Sequence, residues 1–161
     1  MTPPSDFREC PSYPGYFASE DGRVWSTRNG KSQQLHPTAE KKYLRLTVIL
    51  DGRRVKRGVH QLVADAFLGP CPEGLIVLHG GPDGTDNRAS NLRYGTYSQN
   101  RLDQIEHGTH PQVNKTHCPA GHPYAGDNVH AFTDNRGARQ RKCRACGVEA
   151  SRRYRQRRAA A

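Results

Sequence analysis

The chain has 161 residues with 25 Lys and Arg against 15 Asp and Glu, a formal charge of +10, and only 34% hydrophobic residues. So little apolar material excludes a large core, and runs as short as Leu46–Leu50 and Leu75–Leu78 exclude a bilayer-spanning segment. Thr2–Pro14 has no apolar stretch of signal-peptide type, and five cysteines, an odd number, argue against a disulfide framework. A soluble cytoplasmic protein with a polyanionic partner is expected, with no membrane and no small-molecule organic cofactor. The charge is unevenly placed. Residues 1–111 hold 14 basic and 12 acidic residues, whereas residues 112–161 hold 11 and 3, so the tail is the electrostatic anchor.

The first fifty residues read as short strands joined by turns. Tyr16–Ser19, the Asp21-Gly22 turn and Arg23–Ser26 predict a hairpin, and Tyr43–Leu50, Asp51-Gly52 and Arg53–Lys56 predict a second. At Val59 the period changes. Val59, Leu62, Val63, Ala66 and Phe67 form one apolar stripe of a helix that Gly69-Pro70 stops, with His60 beside the stripe in a structural place and a phosphate contact as its alternative. Leu75–His79 then reads as a strand, Gly80–Ser90 as a loop, and Leu92–Gly95 as a returning strand. Thr96 to Gln99 matches a capping box that opens a helix to about His107, stopped by Gly108. On this helix Asn100, Asp103, Gln104 and His107 share a face, and Leu102 and Ile105 are expected to point the other way, into a core.

This strand–loop–strand–helix unit places His79, Asn91 and Asn100 close together. Hydrolysis of a phosphodiester needs an activated water, a proton acceptor, and positive charge at the phosphoryl group and leaving oxygen. A histidine suits the second task and an oxygen-liganded divalent ion the third. His79, Asn91 twelve residues on and Asn100 nine further resemble the HNH, or ββα-metal, nucleases. The likeness extends through Val59–Leu68, Asp86-Asn87-Arg88, Asn91–Thr96 and Ser98–Asn100, and Tyr16–Ser26 resembles the small β module that precedes HNH in many phage and intron-type homing endonucleases. The resemblance implies that His79 is the general base, that Asn91 holds the loop and so the His79 ring, and that Asn100 binds Mg²⁺ or Mn²⁺. It also implies a phage-encoded protein acting in a bacterial host. One position departs from it: many relatives have an acidic ligand before the histidine, where this chain has Leu78. Three alternatives follow: Asp83 or Asp86 swings in from the loop, DNA phosphate completes the coordination, or activity is lost.

The tail carries Cys118 and His122, then Cys143 and Cys146, a C-x₃-H…C-x₂-C spacing that suits a closed structural Zn²⁺ site, with His117 a competitor for His122. A segment this polar needs the metal to fold. HCPAGHPY…KCRAC also resembles the zinc-binding modules appended to phage HNH proteins. Arg152, Arg153, Arg155, Arg157 and Arg158 surround Tyr154 on a predicted basic helix, and Arg139, Arg141, Lys142 and Arg144 extend the basic surface toward DNA phosphates. Cys10 and Cys71 read as reduced thiols.

The expected fold is α+β: a β-hairpin module over residues 1–57, a ββα-metal HNH core over 58–108, a linker over 109–115, and a zinc-binding basic module with a helix over 116–161. The leading function is a metal-dependent endonuclease that nicks or cuts double-stranded DNA. One rival is a decayed, non-enzymatic DNA-binding protein on the same scaffold. Another is an RNA-binding zinc-module protein.

Overall fold

The computed structural model describes residues 2–160; residues 1 and 161, the ends of the first and last expected segments, lie outside the described part. The architecture is α+β, in two compact units that meet between Thr109 and His110. No described helix is long and apolar enough to cross a membrane.

The first unit opens with a four-stranded antiparallel sheet, β1 (Phe7–Glu9), β2 (Tyr16–Ser19), β3 (Val24–Ser26) and β4 (Gln33–Leu35), in that order. The predicted Asp21-Gly22 turn joins β2 to β3, with Phe17 opposite Trp25. A three-stranded sheet follows, β5 (Thr38–Glu40), β6 (Tyr43–Leu50) and β7 (Arg53–Gly58). Its Asp51-Gly52 turn has positive φ at both residues (49° and 74°), as a tight hairpin requires.

Helix α1 (Val59–Leu68) lies where the 3.6-residue period predicted it and buries Val59, Leu62 and Val63 completely. These pack with Tyr16, Ala18 and Val24 of the first sheet, Leu46 and Val48 of the second, and Leu92. One core therefore draws on both sheets. Asp65, also buried, accepts from the Ser12 backbone N–H at 2.8 Å and the Ser12 hydroxyl at 2.7 Å, tying the N-terminal turn to α1.

The chain then forms β8 (Ile76–His79), β9 (Leu92–Gly95) and α2 (Tyr97–Glu106), with His79 paired to Leu92. The capping box is present: Gln99 N–H donates to Thr96 Oγ1 at 3.1 Å, and Thr96 N–H donates to Gln99 Oε1 at 2.7 Å. One expectation fails. Leu102 and Ile105 are 65% and 46% exposed, and α2 buries no residue. Two apolar residues make too small a stripe to draw the helix into a core; the cap and the 2.6 Å pair between Arg93 and Asp103 hold it instead.

The second unit has one hairpin, β10 (Val129–Thr133) with β11 (Arg139–Cys143), and the helix α3 (Arg144–Ala159). Arg141, expected on the DNA-facing surface, is half-buried and engaged by its own chain. Its Nη2 donates to the carbonyls of Gln112 at 2.6 Å and Lys115 at 2.7 Å, and its guanidinium lies 4.4 Å over the Tyr124 ring. A planar, multi-donor group is suited to gathering a stretch with no ladder of its own.

Candidate active site

His79 ends β8, where the pleat turns its ring away from the buried Leu78, which packs on Gly95. Its Nε2 lies 3.3 Å from Oδ1 of Asn87. Asn87 is itself buried, and its Nδ2 donates to the Thr85 carbonyl at 2.9 Å, so the amide cannot turn over. Nε2 must therefore carry the proton and donate to Asn87, and Nδ1 carries the lone pair. Burial pushes the His79 pKa down, against smaller upward pulls from Asn87, Asp86 and Asp83. A neutral ring with a defined free nitrogen has what a general base needs.

The loop between β8 and β9 is braced at several points. Asn91 Nδ2 donates to the Asp86 carbonyl at 2.9 Å, and Gly80 N–H donates to the Asn91 carbonyl at 2.8 Å. Asp83 Oδ1 accepts from the Thr85 N–H at 2.8 Å and hydroxyl at 2.7 Å, which sets the carbonyl that holds Asn87. Asp86 is clamped by Arg88 Nε and Nη2 at 2.8 and 2.7 Å, and that pairing lowers its pKa to about 2. The first sheet also reaches this loop: Ala89 N–H donates to the Glu20 carbonyl at 2.8 Å.

His79 opens into a cavity of about 200 Å³ that Asn100 and Asp103 of α2 also line. Of the expected candidate ligands, Asp86 is paired with Arg88 and Asp83 is held by Thr85 through Oδ1 alone, and neither lines the cavity. The oxygen donors that share the cavity with His79 are those of α2, where Asn100 and Asp103 stand one turn apart, Asp103 Oδ2 being paired with Arg93 at 2.6 Å. An amide and a carboxylate suit a hard divalent cation.

Two wall residues, Tyr43 and Arg45, escaped the sequence reading, and a third, His60, read as structural. The rings of His60 and Tyr43 lie with centroids 5.0 and 5.9 Å from that of His79, and Arg45 lines the same space. Burial, then the charges of His79 and Arg45, push the His60 pKa down to about 4. The available signal was a density of charge: residues 40–57 hold seven Lys and Arg against two acids, which an average over residues 1–111 conceals.

In the second unit, Cys118, His122, Cys143 and Cys146 converge until their ligand atoms all lie within 4.8 Å of one another. Cys118 Sγ is 3.5 Å from Cys146 Sγ, and His122 Nδ1 is 3.6, 3.7 and 3.3 Å from the sulfurs of Cys118, Cys143 and Cys146. A tetrahedron with zinc-like bond lengths has edges of about 3.8 Å between sulfurs and about 3.5 Å from sulfur to nitrogen, so the set fits such an ion. His117 stays outside the cluster, its Nδ1 on Thr116 Oγ1 at 3.0 Å. Cys143 caps α3, and the Cys146 backbone N–H followed by Asn128 lowers its pKa to about 7. Cys146 is pushed up to about 12, first by Cys118, because thiolates this close need a cation between them. Asn128 and Glu149 form an outer layer that the ligand spacing did not disclose. Asn128 Nδ2 donates to Cys143 Sγ at 3.4 Å, and Glu149 Oε1 is 3.8 Å from His122 Nε2.

Residues 57–102 match the family model described as HNH endonuclease. The matched segment contains His79, Asn91 and Asn100. Among relatives, the chain is similar to DNA endonuclease I-HmuI of Bacillus phage SP01, at 30% identity over 105 residues, 65% of this chain and 60% of that protein. The similar region thus spans less than two thirds of the relative's length. A solved structure described as "DNA binding and cleavage by the HNH homing endonuclease I-HmuI" superposes with a TM-score of 0.54 and 25% identity, covering 89% of this chain and 82% of that one.

Proposed function

We propose that this protein is a metal-dependent endonuclease that hydrolyses phosphodiester bonds of double-stranded DNA, with its second unit as a zinc-stabilised anchor. The observation that carries this reading is the pairing, in one cavity, of a histidine with a fixed tautomer and the oxygen donors of α2. His79 Nδ1 takes the proton of the attacking water, while Asn87 holds Nε2–H and keeps the ring aimed. Asn91 spans the loop and keeps Asn87 and His79 in register. Asn100 and Asp103 would hold Mg²⁺ or Mn²⁺; when bound, the ion supplies positive charge at the phosphoryl group and the leaving oxygen.

Zn²⁺ suits Cys118, His122, Cys143 and Cys146 because all four positions are filled by protein, as in a structural site. The ion would tie the hairpin to the start of α3 and so present Arg152, Arg153, Arg155, Arg157 and Arg158, joined by Arg139, Lys142 and Arg144, to DNA phosphates. The phage origin of the relative favours a site of action in the cytoplasm of a bacterial host.

Buried Leu78 favours one other reading, a DNA-binding protein that no longer cuts. Supercoiled plasmid incubated with Mg²⁺ or Mn²⁺ separates the two. The nuclease reading expects nicked or linear product from the wild type and none from His79→Ala. Intact plasmid under every divalent ion leaves the binding protein, and cutting by His79→Ala at the wild-type rate removes His79 as the base.

A further inference from the structure

Arg45 is the unexplained group in the cavity. It stands on β6 opposite Gly58 and on the same face as Tyr43, two residues away. Its Nε is buried without a hydrogen-bond partner among the described residues. The acids near it are engaged elsewhere. Glu40 Oε2 is held by Lys56 Nζ at 2.9 Å, and Asp103 Oδ2, inside the cavity, by Arg93 at 2.6 Å. Arg45 and Lys42 therefore put cationic charge into the cavity, where the carboxylate of Asp103 is shared between Arg93 and the proposed cation. Buried donors left unpaired are uncommon in folded proteins, and a guanidinium is the side chain best matched to phosphate oxygens.

The cavity wall that Arg45 shares with His79 is closely built at Gly58 and His60. A methyl group at Gly58 would sit 2.4 Å from His60 Cε1 and 2.8 Å from its Nδ1, so the ring occupies the space a side chain would take. Gly58 has an ordinary extended backbone (φ −72°, ψ 142°), so that close approach, not the backbone, calls for glycine. His60 Nδ1 is a second buried atom without a partner among the described residues. The ring, its pKa pushed down to about 4 by burial first, is neutral at physiological pH.

We propose that Arg45, seated beside His60, is an anion-binding residue of this site that grips a non-bridging oxygen of the phosphate attacked at His79. The inference rests on the nuclease reading above and adds the residue that holds the reacting group. Arg45 meets the negative charge that builds up on that oxygen as the new bond forms. Its contribution to rate should therefore exceed its contribution to affinity.

The test compares the full-length wild type with Arg45→Gln and Arg45→Lys, measuring single-turnover plasmid nicking and, without divalent ion, affinity for a short duplex. Arg45→Gln should lose about 10²-fold or more in nicking rate, the scale of removing one donor to a developing oxyanion, with duplex affinity within about threefold. Arg45→Lys, which keeps the charge and the fold, should recover part of the rate. Nicking by Arg45→Gln within threefold of wild type overturns the proposal. So does a loss confined to affinity, which would mean a grip on a neighbouring phosphate, or a loss in Gln and Lys alike with lowered melting temperatures, which would make Arg45 structural. If the wild type itself does not cut, the nuclease reading falls and inorganic phosphate decides the subsite. Phosphate-dependent shifts of the His60 and His79 imidazole ¹⁵N resonances, present in wild type and absent in Arg45→Gln, uphold it; no shift in wild type overturns it.

Discussion

Asn87 Oδ1 accepts the Nε2–H of His79 at 3.3 Å while its own Nδ2 is held by the Thr85 carbonyl at 2.9 Å. One amide thus decides which imidazole nitrogen is free, and the decision is passed along a short chain from Asp83 through Thr85. Replacing Asn87 with Ala should leave His79 in place but release its tautomer. Plasmid nicking should then fall about 10²-fold, the low end of what a general base contributes. The ¹⁵N spectrum of His79 should change from a single Nε2–H form to a mixture. An unchanged spectrum would break the link between Asn87 and the base.

Stability should depend on pH through His60. Its pKa is about 4 in the folded chain against an ordinary value of 6.5. Between these values the unfolded chain binds the proton and the folded one does not, so stability is retained above pH 6.5 and falls as pH drops toward 4. The ceiling on this loss is about 3 kcal/mol, and His79, also lowered, acts in the same direction. Denaturant unfolding of wild type and His60→Gln across this window checks it. The variant should show the shallower slope; parallel curves would place the linkage in other groups.

The donor role of α2 makes a prediction that activity does not enter. Asp103→Asn should weaken Mn²⁺ binding, read by water-proton relaxation, about tenfold, because removing ligand charge weakens a hard-cation site. Asp83→Asn should leave Mn²⁺ affinity unchanged, since that carboxylate lies outside the cavity. The opposite ranking would return the ligand to the loop.

In the tail, a strong chelator or Cys143→Ser should unfold the second unit and leave the first folded, visible as a drop in α3 helicity with an intact main melting transition. Replacing Arg152, Arg153 and Arg155 together should reduce the slope of log affinity against log salt by about 2 to 3, at roughly 0.9 for each phosphate no longer neutralised. A native protein that contains no zinc by elemental analysis would refute the first part, and an unchanged slope the second.

The sequence disclosed what periodicity and spacing can encode. The stripe of Val59, Leu62 and Val63, the Asp51-Gly52 turn, the Thr96–Gln99 box and the Cys118/His122/Cys143/Cys146 set each carry a local signature that tertiary contacts leave intact. The three-residue strands β1, β4 and β5 are too short to show a period. Asn87 was one polar residue in a loop rich in them, and only the fold tells which amide meets His79. His60 read as structural because its place beside a core stripe says nothing of the ring across the cavity. Leu102 and Ile105 failed for the converse reason: spacing gives the face of a helix, and whether anything covers that face is a tertiary fact.

The Glu20–Gly22 turn gives the site a wider reach. Glu20 accepts from Ala89, and a methyl group on Gly22, at a φ of +96°, would stand 3.2 Å from Asn87 Cβ. The floor under the amide that aims the base is thus laid more than sixty residues upstream, in a segment with no part in the chemistry. A ββα segment grafted without that hairpin would keep His79, Asn91 and Asn100 and lose the surface that aims the base.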